Sequence, residues 1–100
     1  MRIALHSVLR EGAEADYERE HETIPDDLAA TFARIGIHAW TIWRSGRDLF
    51  HLVECDDYDA AVRALADDPA NARWQAHIGR FVEGDIEPVR QVWTLPPHNA

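Results

Sequence analysis

Tyr17 and His21 are the pair in this chain whose types and spacing best suit proton transfer. They open a run in which Tyr17, His21, Ile24, Leu28, Phe32 and Ile35 fall three or four residues apart, the spacing of one helix face. Side chains four apart on a helix are neighbours, so an imidazole meets a phenol. Histidine, with an ordinary pKa near ~6.5, takes or gives a proton near neutrality. Tyrosine, near ~10, is a poorer base and a good orienting hydroxyl. Both interrupt an otherwise apolar stripe, and a buried polar group needs a partner, which a core supplies as readily as a pocket. On spacing alone the plainer reading, a satisfied core histidine beside a core tyrosine, is the stronger.

Other candidates are weaker. His6, His38 and His51 fall on three expected strands and suggest a metal site, alongside His21, His77 and His98. None belongs to a His-x-x-x-His pair, a Cys-x-x-Cys or a His-with-carboxylate signature, so no metal is expected. There is no glycine-rich phosphate loop, nucleophile elbow or dinucleotide fingerprint, and no cofactor is expected. The single Cys55 reads as a buried strand thiol rather than a nucleophile. Trp40, Trp43, Trp74 and Trp93 serve packing, or offer indole faces to the C–H face of a sugar.

The elements that must position these residues follow from periodicity and breakers. Ile3 to Arg10 reads as a strand, and a helical pattern runs from Ala13 to Ile35. Pro25 interrupts that helix, predicting a kink or restart near Thr23. Gly36 ends it. His38 to Arg44 and Leu49 to Cys55 form a hairpin around Ser45-Gly46-Arg47-Asp48. Asp56 or Asp57 caps a helix through Ala66, and Asp68-Pro69 starts another that carries Trp74, His77, Ile78 and Phe81. Gly84 opens a turn into a last strand, Glu87 to Leu95. The order β-α-β-β-α-α-β is the ferredoxin-like α+β plan, a four-stranded antiparallel sheet with helices on one face.

Composition bounds the rest. One hundred residues make one domain, 1–100, and 46% hydrophobic residues suffice for a core. A net charge of -8 repels phosphate backbones, so no nucleic acid partner is expected, and no basic amphipathic stretch suggests a membrane surface. No signal peptide or apolar run of membrane length is visible, which with one cysteine predicts a soluble, cytoplasmic protein. The hairpin strands are apolar on both faces: Trp40 and Ile42 oppose Ala39 and Trp43, while Phe50 and Leu52 oppose Leu49 and Val53. Helices cover one face only, so the other is expected to meet a second copy in a homodimer.

The motifs Tyr17-x-x-x-His21, Ile24 to Leu28, Gly36-Ile-His-Ala-Trp-Thr-Ile-Trp43, Leu49-Phe-His-Leu-Val-Glu54 and Ala72-Arg-Trp-Gln75 together resemble the L-rhamnose mutarotase family. The resemblance runs over almost the whole chain and implies a dimeric α+β barrel. It implies an isomerase that interconverts the α and β anomers of L-rhamnose or a related 6-deoxy sugar, with no cofactor. It makes His21 the proton donor and Tyr17, Trp40 and Trp74 sugar-contacting residues, with Gln75 beside them in the pocket lining. Two positions depart from the family pattern. Trp40 stands where tyrosine is common, replacing a phenolic hydroxyl with an indole N–H, and Gln75 stands where a second tryptophan follows the first.

Mutarotation suits the pair. Opening a cyclic hemiacetal needs a proton given to the ring oxygen and one taken from the C1 hydroxyl, and closure reverses this. One acid–base group contributes ~10²–10⁴-fold. The wider dimeric α+β barrel group also holds cofactor-free catalysts and monooxygenases, and a non-catalytic sugar-binding barrel is a third alternative.

Overall fold

A computed structural model describes residues 1–97, so that His98 of the metal hypothesis lies outside the described residues. Strand β1 (Arg2–Leu9) leads into two short helices, α1 (Glu14–Glu20) and α2 (Asp26–Arg34). The hairpin β2 (Ile37–Ser45) and β3 (Asp48–Cys55) follows, then α3 (Tyr58–Ala66), α4 (Pro69–Ile78) and β4 (Val82–Pro88). All pairings are antiparallel in the order β2-β3-β1-β4, the ferredoxin-like arrangement expected from the element order.

Local chemistry sets the boundaries. A proline's ring crowds the carbonyl of the residue four before it; for Pro25 that residue is His21. The helix accordingly stops at Glu20 and restarts at Asp26, with Pro25 as the N-cap of α2. Gly36 follows α2 with φ +83°, and a Cβ there would lie 2.6 Å from an Asp56 carboxylate oxygen. Asp57, not Asp56, caps α3 by accepting the Ala60 N–H at 3.1 Å. Asp68 caps α4 by accepting from Asn71 at 2.9 Å, with Pro69 in the first turn.

Leu5, Ser7 and Leu9 of β1 and Leu49, His51, Val53 and Cys55 of β3 are buried beneath the helices. An irregularity in the pairing between Ile37 and Ala39 lets Ile37, Trp40 and Ile42 of β2 face the same side. The apolar interior falls into two clusters. Leu5, Ile37, Val53 and Cys55 centre one; Leu9, Tyr17, Leu49 and Ile78 centre the other.

The last strand corrects the expectation of Glu87 to Leu95. It spans Val82–Pro88, and Gly84, with φ +69°, lies within it at a shift in the pairing register rather than in a turn before it. The free edge of β1 is consumed by the stretch from Leu9↔Val82 to Leu5↔Pro88, and the Val89 N–H reaches Ala4 at 2.9 Å. Residues 89–97, with Val92, Trp93 and Leu95 exposed, form no strand within the chain. Among the described residues, no helix is long and apolar enough to cross a membrane.

Candidate active site

The break before Pro25 makes His21 the C-cap of α1. Its backbone N–H and its ring Nδ1–H both donate to the carbonyl of Tyr17, at 3.2 and 2.9 Å. A carbonyl only accepts, so in the neutral ring the proton sits on Nδ1 and Nε2 keeps its lone pair. The Tyr17 and His21 rings lie 4.1 Å apart between centroids, and the edge of Trp74 from α4 meets the imidazole at 5.2 Å. Burial lowers the His21 pKa below its ordinary value, partly offset by the Tyr17 carbonyl and the nearby Glu20 carboxylate. Burial pushes Tyr17 up to about 12, so its hydroxyl stays protonated across the working range.

These groups open into a cavity of about 860 Å³ between the helices and the sheet, within the ~300–1,000 Å³ of typical small-molecule sites. Tyr17, His21, Trp40, Trp74 and Gln75 all line it. Trp40 stacks on Phe32 with centroids 6.0 Å apart. Gln75 is exposed at the rim, reaching Asn71 at 3.4 Å. Of the other tryptophans, Trp43 points from the uncovered sheet face, where it pairs with Phe50, and Trp93 lies beyond β4.

The three strand histidines do not converge. His6 pairs with Asp48 at 2.9 Å and His38 with Asp56 at 2.7 Å, whereas His51 is buried in the cavity wall. No group of three metal-ligating side chains occurs among the described residues. Sequence reasoning weighed His51 only as a metal ligand, whereas it belongs to the cavity wall. Its Nδ1 accepts from the Trp40 indole at 3.1 Å and its Nε2 lies 3.0 Å from Ser7 Oγ. Burial above all, with the nearby His21 and His6, pushes its pKa down to about 4. The alternation Leu49, His51, Val53 was the signal that it faces inward.

Two contacts hold the flanks of the His21 segment to α4, a hydrogen bond between His77 and Glu20 at 2.9 Å and an ion pair of Asp27 with Arg73. They bracket Trp74 in sequence and keep it against the imidazole.

A ferredoxin-like sheet, with an oriented imidazole and an un-ionised phenol at a largely apolar cavity, defines a small α+β protein with a pocket of small-molecule size. Similarity to known proteins narrows the class. Residues 2–97 match the family model described as L-rhamnose mutarotase. An L-rhamnose mutarotase of Opitutus terrae is 37% identical over 82 residues, covering 78% of each chain. The crystal structure of an L-rhamnose mutarotase from Formosa agariphila superposes with a TM-score of 0.80 at 15% identity, covering 96% of this chain and 99% of that one. SnoaB, a cofactor-independent oxygenase from Streptomyces nogalater, superposes with a TM-score of 0.65 at 22% identity, covering 96% of each. Such structural likeness speaks for the dimeric α+β barrel fold alone. The chain belongs to the L-rhamnose mutarotase family, isomerases whose activity is the interconversion of anomers.

Proposed function

We propose that this chain interconverts the α and β anomers of L-rhamnose or a related 6-deoxy sugar, with His21 moving the protons. The observation that carries this reading is the Nδ1–H of His21 held on the Tyr17 carbonyl at 2.9 Å, which leaves Nε2 as the working nitrogen at the cavity. In the neutral ring Nε2 takes the proton of the C1 hydroxyl. The C1–ring-oxygen bond breaks as the C1 carbonyl forms, and the imidazolium returns the proton to the ring oxygen. Rotation about C1–C2 presents the other carbonyl face, and the same steps in reverse close the ring. Tyr17, un-ionised below about 12, donates a hydrogen bond that orients the sugar. Trp74 and Trp40 supply flat apolar walls for its C–H face, and Gln75 an amide at the rim. Nuclear magnetic resonance of anomer exchange, with wild type against His21→Ala, tests this reading. Acceleration of no monosaccharide by the wild type would sink it.

The working form is a homodimer in the cytoplasm. Trp43 and Phe50 remain 54% and 45% exposed on the uncovered sheet face, with Val92 and Trp93 exposed beyond β4, an apolar surface that a second copy would cover. The buried thiol of Cys55 suits a reducing compartment. Sedimentation at micromolar concentration should give twice the 11.4 kDa chain mass, and Phe50→Asp should shift it toward the monomer. A wild type that sediments as 11.4 kDa would overturn the dimer.

A further inference from the structure

The contact between Trp40, His51 and Ser7 has a direction. An indole nitrogen only donates, so the 3.1 Å contact from Trp40 Nε1 makes His51 Nδ1 an acceptor. The imidazole is neutral at pH 7 and holds one ring proton, which must then be on Nε2. Nε2–H donates to Ser7 Oγ at 3.0 Å. A serine hydroxyl that accepts still has its own hydrogen to give, and among the described residues nothing accepts it. Ser7 lines the cavity on the covered face of β1. The same polarity rules out a nucleophilic serine, because an Nε2 that already carries a proton cannot take one from Ser7.

We propose that Ser7 is a further substrate-binding residue, its hydroxyl hydrogen turned toward an oxygen acceptor of the sugar by a one-way chain running from Trp40 through His51. The assignment rests on the mutarotase reading of the same cavity. His51 is here a positioning residue that fixes which way Ser7 donates. Trp40 has spent its N–H inside the wall, so it presents a ring to the ligand and not a donor. Its indole therefore does not replace the phenolic hydroxyl common at that position in the family; the donor at the end of its chain is Ser7. Hydrogen bonds that run in one sense along a chain polarise one another, which strengthens the terminal donor. The ligand class is an uncharged oxygen, a sugar hydroxyl or ring oxygen, since no lysine or arginine lines the cavity to balance a charge.

The test is anomer exchange of L-rhamnose by wild type, Ser7→Ala, His51→Leu and His51→Gln, with long-range proton–nitrogen spectra of the histidine rings at neutral pH. Ser7→Ala should raise KM roughly three- to tenfold, the scale of one lost neutral hydrogen bond, with kcat little moved. His51→Leu should raise KM as much, because it frees the hydroxyl to turn away, and should add nothing in the Ser7→Ala background. His51→Gln, whose amide can accept from Trp40 and donate to Ser7, should restore most of the affinity. The spectra should show His51 as the Nε2–H form. An unchanged KM for Ser7→Ala in an active enzyme, or an Nδ1–H form of His51, would overturn the proposal. Should His51→Leu not fold, Ser7→Ala and the ring spectrum still decide. A wild type that accelerates no sugar would remove the mutarotase reading and Ser7's role with it, an outcome distinct from loss of the Ser7 effect alone.

Discussion

The ring Nδ1–H of His21 donates to the carbonyl oxygen of Tyr17, one helical turn earlier, at 2.9 Å. That carbonyl also accepts the backbone N–H of His21 at 3.2 Å. One atom thus closes the helix and fixes the tautomer of the proposed base. The arrangement depends on Pro25, whose ring cannot sit one turn after His21 in a continuous helix.

Replacing His21 removes the proposed proton carrier without emptying the core, since the side chain is only half-buried. His21→Ala should lower the acceleration of anomer exchange by ~10²–10⁴-fold, with circular dichroism close to wild type. The acid limb of the wild-type rate should also lie below the ordinary histidine pKa. In the proposed mechanism the neutral ring is the working form, and burial lowers its pKa, so activity should hold as pH falls past ~6.5 and be lost only beneath it. An acid limb centred above that value would contradict the assignment.

Tyr17 is only 5% exposed, and its phenol remains protonated up to about 12. Its proposed role is that of a donor, and the alkaline side of the rate profile should show no loss from its ionisation below that pH. Tyr17→Phe keeps the ring that packs with Leu9, Leu49 and Ile78 and removes only the hydroxyl. Activity should fall roughly tenfold, about one hydrogen bond's worth, with the melting temperature nearly unchanged. A fall matching that of His21→Ala would instead make Tyr17 a proton carrier.

His51 makes the fold acid-sensitive. Its pKa is about 4 in the folded chain and ~6.5 when unfolded, so the unfolded state binds more protons between the two values. Stability is therefore full above ~6.5 and declines as pH falls toward 4, by up to roughly 3 kcal/mol. His51→Leu should flatten that part of the pH dependence in urea melts. An unchanged slope would show that other groups carry it.

Asp68 ties α2 to the start of α4. It caps α4 through Asn71, accepts from Thr31 Oγ1 of α2 at 3.1 Å, and pairs with Arg34 at 3.2 Å. Asp68→Ala should cost about 1–2 kcal/mol, mostly the lost cap, since the Arg34 pair is exposed on the arginine side and contributes little. Chemical denaturation measures this directly. A loss within experimental error would mean that water replaces the cap at no cost.

Much of the fold was legible because its signals are local. The helical stripe from Tyr17, the proline break, the Ser45–Asp48 turn and the Asp68-Pro69 start each depend on a few neighbouring residues, and each stands where the pattern put it. The last strand was not legible in its bounds. Val89, Val92, Trp93 and Leu95 have strand-like composition, but a strand exists only where its backbone is paired, and pairing with β1 ends at Leu5↔Pro88 and the Val89 N–H on Ala4.

The Tyr17/His21 pair divides along the same line. Its residue types, its four-residue spacing and the proline beyond it are properties of the sequence, and so is the family pattern around it. Whether the pair faced core or cavity depended on what the sheet and α4 placed opposite, which no local spacing encodes. The polarity of the Trp40–His51–Ser7 wall is likewise tertiary. It joins β2, β3 and β1 across 11 and 44 residues of sequence, and a hydrogen bond acquires a direction only when donor and acceptor have been brought within reach.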